Sequence, residues 1–151
     1  MGNIFNNDFT EFLGQLNKHD VEYVLVGGYS VILHGYSRTT GDMDILVNKT
    51  KDNYLRLSKA FQDFGMPTFD MTENNFLSNP SFNVFSFGRQ PVAIDIMTAI
   101  KGASFQEIYE EAVEFQAGAV KVRTIDVAKL IQTKKAAGRH KDLDDIENIN
   151  K

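Results

Sequence analysis

The chain has 151 residues, 42% of them apolar and 24% charged, a size at which one core buries most of the apolar surface and a composition that excludes a disordered or fibrous protein. A formal net charge of −4 argues against a surface that docks as a whole on nucleic acid, because such binding neutralises phosphates with many Lys and Arg, so a tRNA partner is disfavoured. No cysteine is present, which removes both a disulfide framework and a thiolate metal site.

Met1 to Asn6 holds no basic segment leading into an apolar one, and Asn6 stands where an N-myristoylation signal needs Ser or Thr. The charge-free stretch from Tyr23 to Ser37 contains three glycines and falls short of the ~20 apolar residues that cross a bilayer. No membrane partner is expected, and a cytoplasmic location is.

Phe9, Phe12, Leu13 and Leu16 recur at helical spacing between Asp8 and Lys18, which predicts a first amphipathic helix. Val21 to Val26 reads as a strand that stops at Gly27-Gly28 and gives way to a short buried helix from Tyr29 to His34. Asp42 to Val47 is a second strand, and Lys51 to Phe64 is a helix stopped by Gly65 and Pro67. Met66 to Pro80 has no clear period. Phe82 to Phe87 and Val92 to Met97 read as a hairpin turning through Gly88-Arg89-Gln90-Pro91. Ser104, with Glu107 three residues on, marks a capped helix to Val113, and a short strand follows near Ala119 to Val122. Two helices, Asp126 to Ala137 and Asp142 to Ile149, close the chain around Gly138-Arg139-His140. With no repeat and no linker, residues 1–151 read as one domain of α/β or α+β class, a sheet layered with helices.

The chemistry concentrates in Val24-Leu25-Val26-Gly27-Gly28-Tyr29-Ser30 and, fourteen residues beyond Gly28, Asp42-Met43-Asp44. On a strand, positions i and i+2 share a face, so Asp42 and Asp44 point together, and two adjacent carboxylates are relieved by a hard cation such as Mg²⁺. Gly27 and Gly28 let backbone N–H groups approach phosphate at the start of a helix. Asp95, between Ile94 and Ile96, leaves its strand by the face opposite those isoleucines. Each part has a plainer reading, a turn or a chance pair among twelve aspartates, as Asp142-Leu143-Asp144 shows in a helical pattern where i and i+2 diverge by ~200°. Their order sets these three apart: strand, glycine pair, helix, strand with Asp-x-Asp, later strand with a lone Asp.

That order resembles the nucleotidyltransferase superfamily related to DNA polymerase β. The run VLVGGYSVILHGYSRTTGDMDILV is similar to the start of minimal bacterial domains akin to the abortive-infection toxin nucleotidyltransferases, and KLIQTKKAAGRHKDLDDIENI to their C-terminal segment. The resemblance implies a nucleotidyltransferase fold, a mixed β-sheet with helices packed on it and a C-terminal helical pair. It further implies transfer of a nucleoside monophosphate from a nucleoside triphosphate, with pyrophosphate release, to a hydroxyl-bearing small molecule, protein or tRNA. Gly27, Gly28 and Ser30 would hold the triphosphate; Asp42, Asp44 and Asp95 would be both catalytic and metal ligands for two Mg²⁺ ions. Lys134 and Asp142 would be catalytic, with Arg139 and Lys141 neutralising phosphate. A serine commonly follows the glycine directly in the superfamily; here Tyr29 intervenes before Ser30. His34, Arg38 and Thr40 are read as loop-positioning residues.

The alternative is a catalytically silent module of the same fold, or a toxin–antitoxin protein partner; the presence of all three aspartates speaks against it. A haloacid dehalogenase phosphatase also uses Asp-x-Asp, but Ser37-Arg38-Thr39-Thr40-Gly41 before Asp42 is no apolar strand. A glycosyltransferase using that motif would usually need a longer chain.

Overall fold

The computed structural model describes residues 6–38, 40–88 and 93–149. Along them run α1 (Asn7–Lys18), β1 (Tyr23–Val26), α2 (Gly27–Leu33), β2 (Met43–Val47), α3 (Lys51–Phe64), α4 (Glu73–Leu77), β3 (Val84–Phe87), β4 (Ile94–Met97), α5 (Phe105–Glu110), β5 (Val113–Ala117), β6 (Val120–Thr124), α6 (Val127–Ala137) and α7 (His140–Ile149). The strands form one sheet in the order β3-β4-β2-β1-β6-β5. It is mixed: β2 pairs parallel with β4 and β1 parallel with β6, whereas β1–β2, β3–β4 and β5–β6 are antiparallel. The expected α/β architecture and C-terminal helical pair are both present.

Helix boundaries follow local chemistry. Thr50 accepts from Asn53 N–H to open α3, and Gly65, at φ +86°, closes it in the left-handed conformation that glycine adopts without a Cβ clash. Ser104 and Glu107 form the expected reciprocal capping box on α5, but that helix ends at Glu110 and Val113 opens a strand instead. The strand β5 escapes the pattern because it is an edge: of its five residues only Ala117 is buried, so no alternation marks it. The short helix α4, capped by Thr72, lies inside the stretch without a period. Of the expected hairpin turn, residues 89–91 lie outside the described residues.

Strand alternation sorts the core into two layers. Met43, Ile45, Val47, Ile94 and Ile96 join Phe9, Phe12 and Leu16 of α1 and Leu57 and Phe61 of α3 on one face. Phe12 sits edge-on to Phe61 and Phe64 with ring centroids 5.4 and 5.3 Å away. Val24, Val26 and Leu46 form the other layer with Ile108 of α5, Leu130 of α6 and Ile125, which lies between β6 and α6. Buried Asn53 ties the layers' frame together: its Oδ1 accepts from Glu22 N–H at 2.7 Å, and its Nδ2 donates to the carbonyls of Glu22 and Asn48 at 3.1 and 2.9 Å. On the second face α5 and α6 cover only part of the sheet. Asp44 and Asp95, on β2 and β4, are half-buried and line a cleft.

Candidate active site

In the parallel pair β2–β4, Asp44 is the direct register partner of Asp95, between the pairs Met43–Ile94 and Ile45–Ile96. With the isoleucines and Met43 turned into the α1–α3 layer, both carboxyl groups leave by the opposite face and come within hydrogen-bonding reach of each other. Asp42 lies one residue ahead of β2 and close enough to act on Asp44. Burial, then the charges of Asp95 and Asp42, push Asp44 up to about 7, while Lys141 pulls the other way. A cation beside this pair would relieve the repulsion. Among the described residues no three His, Cys, Asp or Glu side chains converge closely enough to cage an ion by themselves. Mg²⁺ is commonly held by one or two carboxylates with substrate phosphates and waters completing its octahedron, and this pair of oxygen donors fits that mode.

The glycine pair explains itself sterically. Gly27 takes φ +70° at the very start of α2, and a Cβ there would overlap the Asp44 carboxylate. A Cβ on Gly28 would overlap the Thr40 side chain and come within 3.3 Å of Arg38 Nη1. The backbone at the head of α2 therefore rests directly on the acid of β2 and on the loop between α2 and β2.

A cluster of charges from α6 and α7 forms the opposite wall. Buried Lys134 donates to Asp142 Oδ1 at 3.1 Å and pairs with Asp145 Oδ2 at 2.9 Å. Arg139 embraces Asp142 from Nε at 2.6 Å and Nη2 at 3.1 Å, and its backbone N–H adds a third bond at 3.2 Å. Burial acts to push the Asp142 carboxyl up, but Arg139 and Lys134 together outweigh it and bring Asp142 down to about 2. A carboxylate so held takes up no proton near neutrality. Arg38 clasps Asp145 through Nε at 2.8 Å and Nη2 at 3.0 Å.

Between the walls lies a cleft of ≈ 490 Å³ lined by Gly27, Gly28, Thr40, Gly41, Asp42, Asp44, Val84, Asp95, Met97, Lys134, Arg139 and Lys141. It adjoins a mainly apolar pocket of ≈ 260 Å³ whose walls include Val26, Met97, Ile100, Leu130, Thr133 and Ala137. Gly27, Asp44, Met97, Lys134 and Arg139 border both.

Residues 7–150 match the family described as nucleotidyltransferase of unknown function (DUF6036). The chain belongs to this nucleotidyltransferase family. A comparison with curated proteins finds no match. Solved structures share the fold, two of them as follows. A nucleotidyltransferase-assigned protein, TM1012 from Thermotoga maritima, is 13% identical, with a TM-score of 0.63 over 92% of this chain and 88% of its own. Lincomycin-bound LnuA, a lincosamide antibiotic adenylyltransferase, is 16% identical, with a TM-score of 0.60 over 99% of this chain and 98% of its own.

In this nucleotidyltransferase the cleft brings together Gly27, Gly28, Asp42, Asp44, Asp95, Lys134, Arg139 and Lys141 from segments far apart in sequence. Ser30 is not among them: fully buried, its hydroxyl donates to Gly27 O at 2.6 Å and stays inside its own helix. Asp142 borders the apolar pocket, beneath Lys134 and Arg139. The residue that sequence reasoning overlooked is Asp145. Its signal was the spacing Asp142/Asp145, i and i+3 on one helix face, rather than the divergent Asp142/Asp144 pair.

Proposed function

We propose that this nucleotidyltransferase moves the nucleoside monophosphate group of a nucleoside triphosphate onto an acceptor hydroxyl, releasing pyrophosphate, with Mg²⁺ held by Asp44 and Asp95 together with the triphosphate's own oxygens and Asp42 adding its charge beside them. The observation that carries the reading is the Asp44–Asp95 pair on adjacent parallel strands, facing a cleft whose far wall is cationic. The bound ions would supply charge neutralisation of the phosphates and polarise the α-phosphorus. Gly27 and Gly28 place backbone N–H groups beside the phosphates, and Lys134, Arg139 and Lys141 offset the charge of the departing pyrophosphate. Asp95 takes the proton of the acceptor hydroxyl as its oxygen attacks the α-phosphorus in line and the bond to the bridging oxygen breaks. The apolar pocket beside Asp44 receives the nucleoside end.

A small hydroxylated molecule is the first acceptor class to test. LnuA, which this chain matches over nearly its whole span, is a lincosamide antibiotic adenylyltransferase. Protein and tRNA acceptors, and a toxin role suggested by the segment from Lys129 to Ile149, are the other outcomes of an acceptor screen.

The direct test needs no acceptor: thermal unfolding of the wild type and of Asp42→Ala/Asp44→Ala with each ribonucleoside triphosphate, with and without Mg²⁺. One triphosphate should raise the wild-type midpoint only with Mg²⁺, a ligand at ~100 times its Kd adding about 2.7 kcal/mol, and the double variant should lose the rise. A wild type that no triphosphate shifts refutes the proposal.

A further inference from the structure

Within the cation wall, Asp145 stands apart. It is buried and borders neither cavity, yet it joins Lys134 of the cleft's cation wall to Arg38, which packs behind Gly28 of the facing wall. Through Oδ2 it holds Lys134 Nζ at 2.9 Å, on the cleft's α6 side. Through both oxygens it holds Arg38, from Nε at 2.8 Å and Nη2 at 3.0 Å, in the paired geometry that fits a guanidinium and that an ammonium cannot reproduce. Arg38 in turn lies against Gly28 and beside Thr40, on the glycine side of the cleft. A second contact, Tyr36 Oη donating to Asp144 at 2.9 Å, fastens the same loop to the same helix one residue away.

We propose, building on the nucleotidyl-transfer reading above, that Asp145 is a positioning residue for triphosphate binding: one carboxylate that sets the distance between the glycine wall and Lys134. An ammonium has three N–H bonds, and two of those of Lys134 are committed to Asp142 and Asp145, so the pair fixes the direction in which the group meets a ligand. Lys134, Arg38 and Arg139 against Asp142 and Asp145 leave the cluster at +1, and Asp145 lowers that charge while ordering it. The two effects act on an anion with opposite signs. Removing a carboxylate from the neighbourhood of a triphosphate strengthens attraction by charge alone; removing the residue that holds the walls in register weakens it.

The sign is read by titrating Mg²⁺-tripolyphosphate into the full chain calorimetrically, comparing wild type, Asp145→Asn, Arg38→Lys and the double variant, with unliganded thermal midpoints recorded alongside. Asp145→Asn should bind at least about tenfold more weakly although it carries one negative charge fewer. Arg38→Lys, which keeps the charge but not the fork, should also weaken binding, and the double variant should lose less than the product of the two single losses because both break one link. Equal or tighter binding by folded Asp145→Asn overturns the inference. So do midpoints that fall while the Kd of the folded protein stays put, since that is all a merely structural role would produce. If Asp145→Asn does not fold, Arg38→Lys carries the test, and wild-type affinity in it is the overturning result. A wild type that binds neither Mg²⁺-tripolyphosphate nor any nucleoside triphosphate removes the functional reading itself, and this inference with it.

Discussion

Asp44 keeps a proton that an unfolded chain would release. Its value of about 7 against an ordinary 3.8 means that the native state binds more protons than the unfolded one between those limits. The associated stability is complete below pH ~4 and is lost as pH rises through 7. Asp44→Asn, which is never ionised, should therefore be more stable than wild type at pH 8 without divalent cations, by up to about 4 kcal/mol, because each tenfold difference in proton affinity between the two states is worth ~1.4 kcal/mol. Urea denaturation at pH 5 and pH 8 checks this: the gain at the lower pH should be less than half of that at the higher. Added Mg²⁺ should stabilise the wild type more as pH rises through 7, since the ion competes with that proton, and should leave the variant unmoved. At Gly28 the space is taken by Thr40, so Gly28→Ala should lose about 1–3 kcal/mol in chemical denaturation through overpacking. The acids were legible in the sequence because strand alternation and two flanking isoleucines leave Asp95 only one direction. The fate of Ser30 was not, because a hydroxyl one turn into a helix serves its own backbone as readily as a ligand, and the residue letters are the same in both cases.

At the level of elements, legibility tracks how much each segment buries and how its ends are marked. The helix α3 runs over the expected residues because Thr50 opens it, Gly65 closes it and Leu57, Ala60 and Phe61 mark its inner face. The edge strand β5 hides little and was invisible. The link between α6 and α7 lies between these extremes: the break at Gly138 and the basic residues were plain, but the partners of Asp142 depend on how two helices meet. That meeting is sensitive to acid. Asp142, held at about 2 by Arg139 and Lys134, contributes stability that is present above pH ~4 and lost as pH falls toward 2, at most about 2 kcal/mol in all. Asp142→Asn should remove that part of the acid sensitivity, seen as a shallower fall of the unfolding midpoint between pH 4 and pH 2. On the other face, Phe12→Ala should cost about 3–5 kcal/mol, because the ring is fully buried against Phe61 and Phe64.

At the scale of the whole molecule, the described residues form one six-stranded sheet with an apolar layer on each side, and β1, buried along its length, contributes to both. Neither layer has a sheet of its own to stand on, so they should melt together. Far-ultraviolet dichroism and tyrosine fluorescence should report coincident urea transitions; separated midpoints would mean that the two layers unfold independently. The clasp between Arg38 and Asp145 spans 107 positions of the sequence. Closing so long a loop is slow compared with forming local helices. The acids of the cleft all lie within the first 97 residues, whereas its cations come only from residue 134 onward. A nascent chain still short of residue 134 thus carries the three carboxylates of the cleft and none of its cations, and triphosphate in the surrounding solution gives that chain no help in folding until synthesis has passed that point.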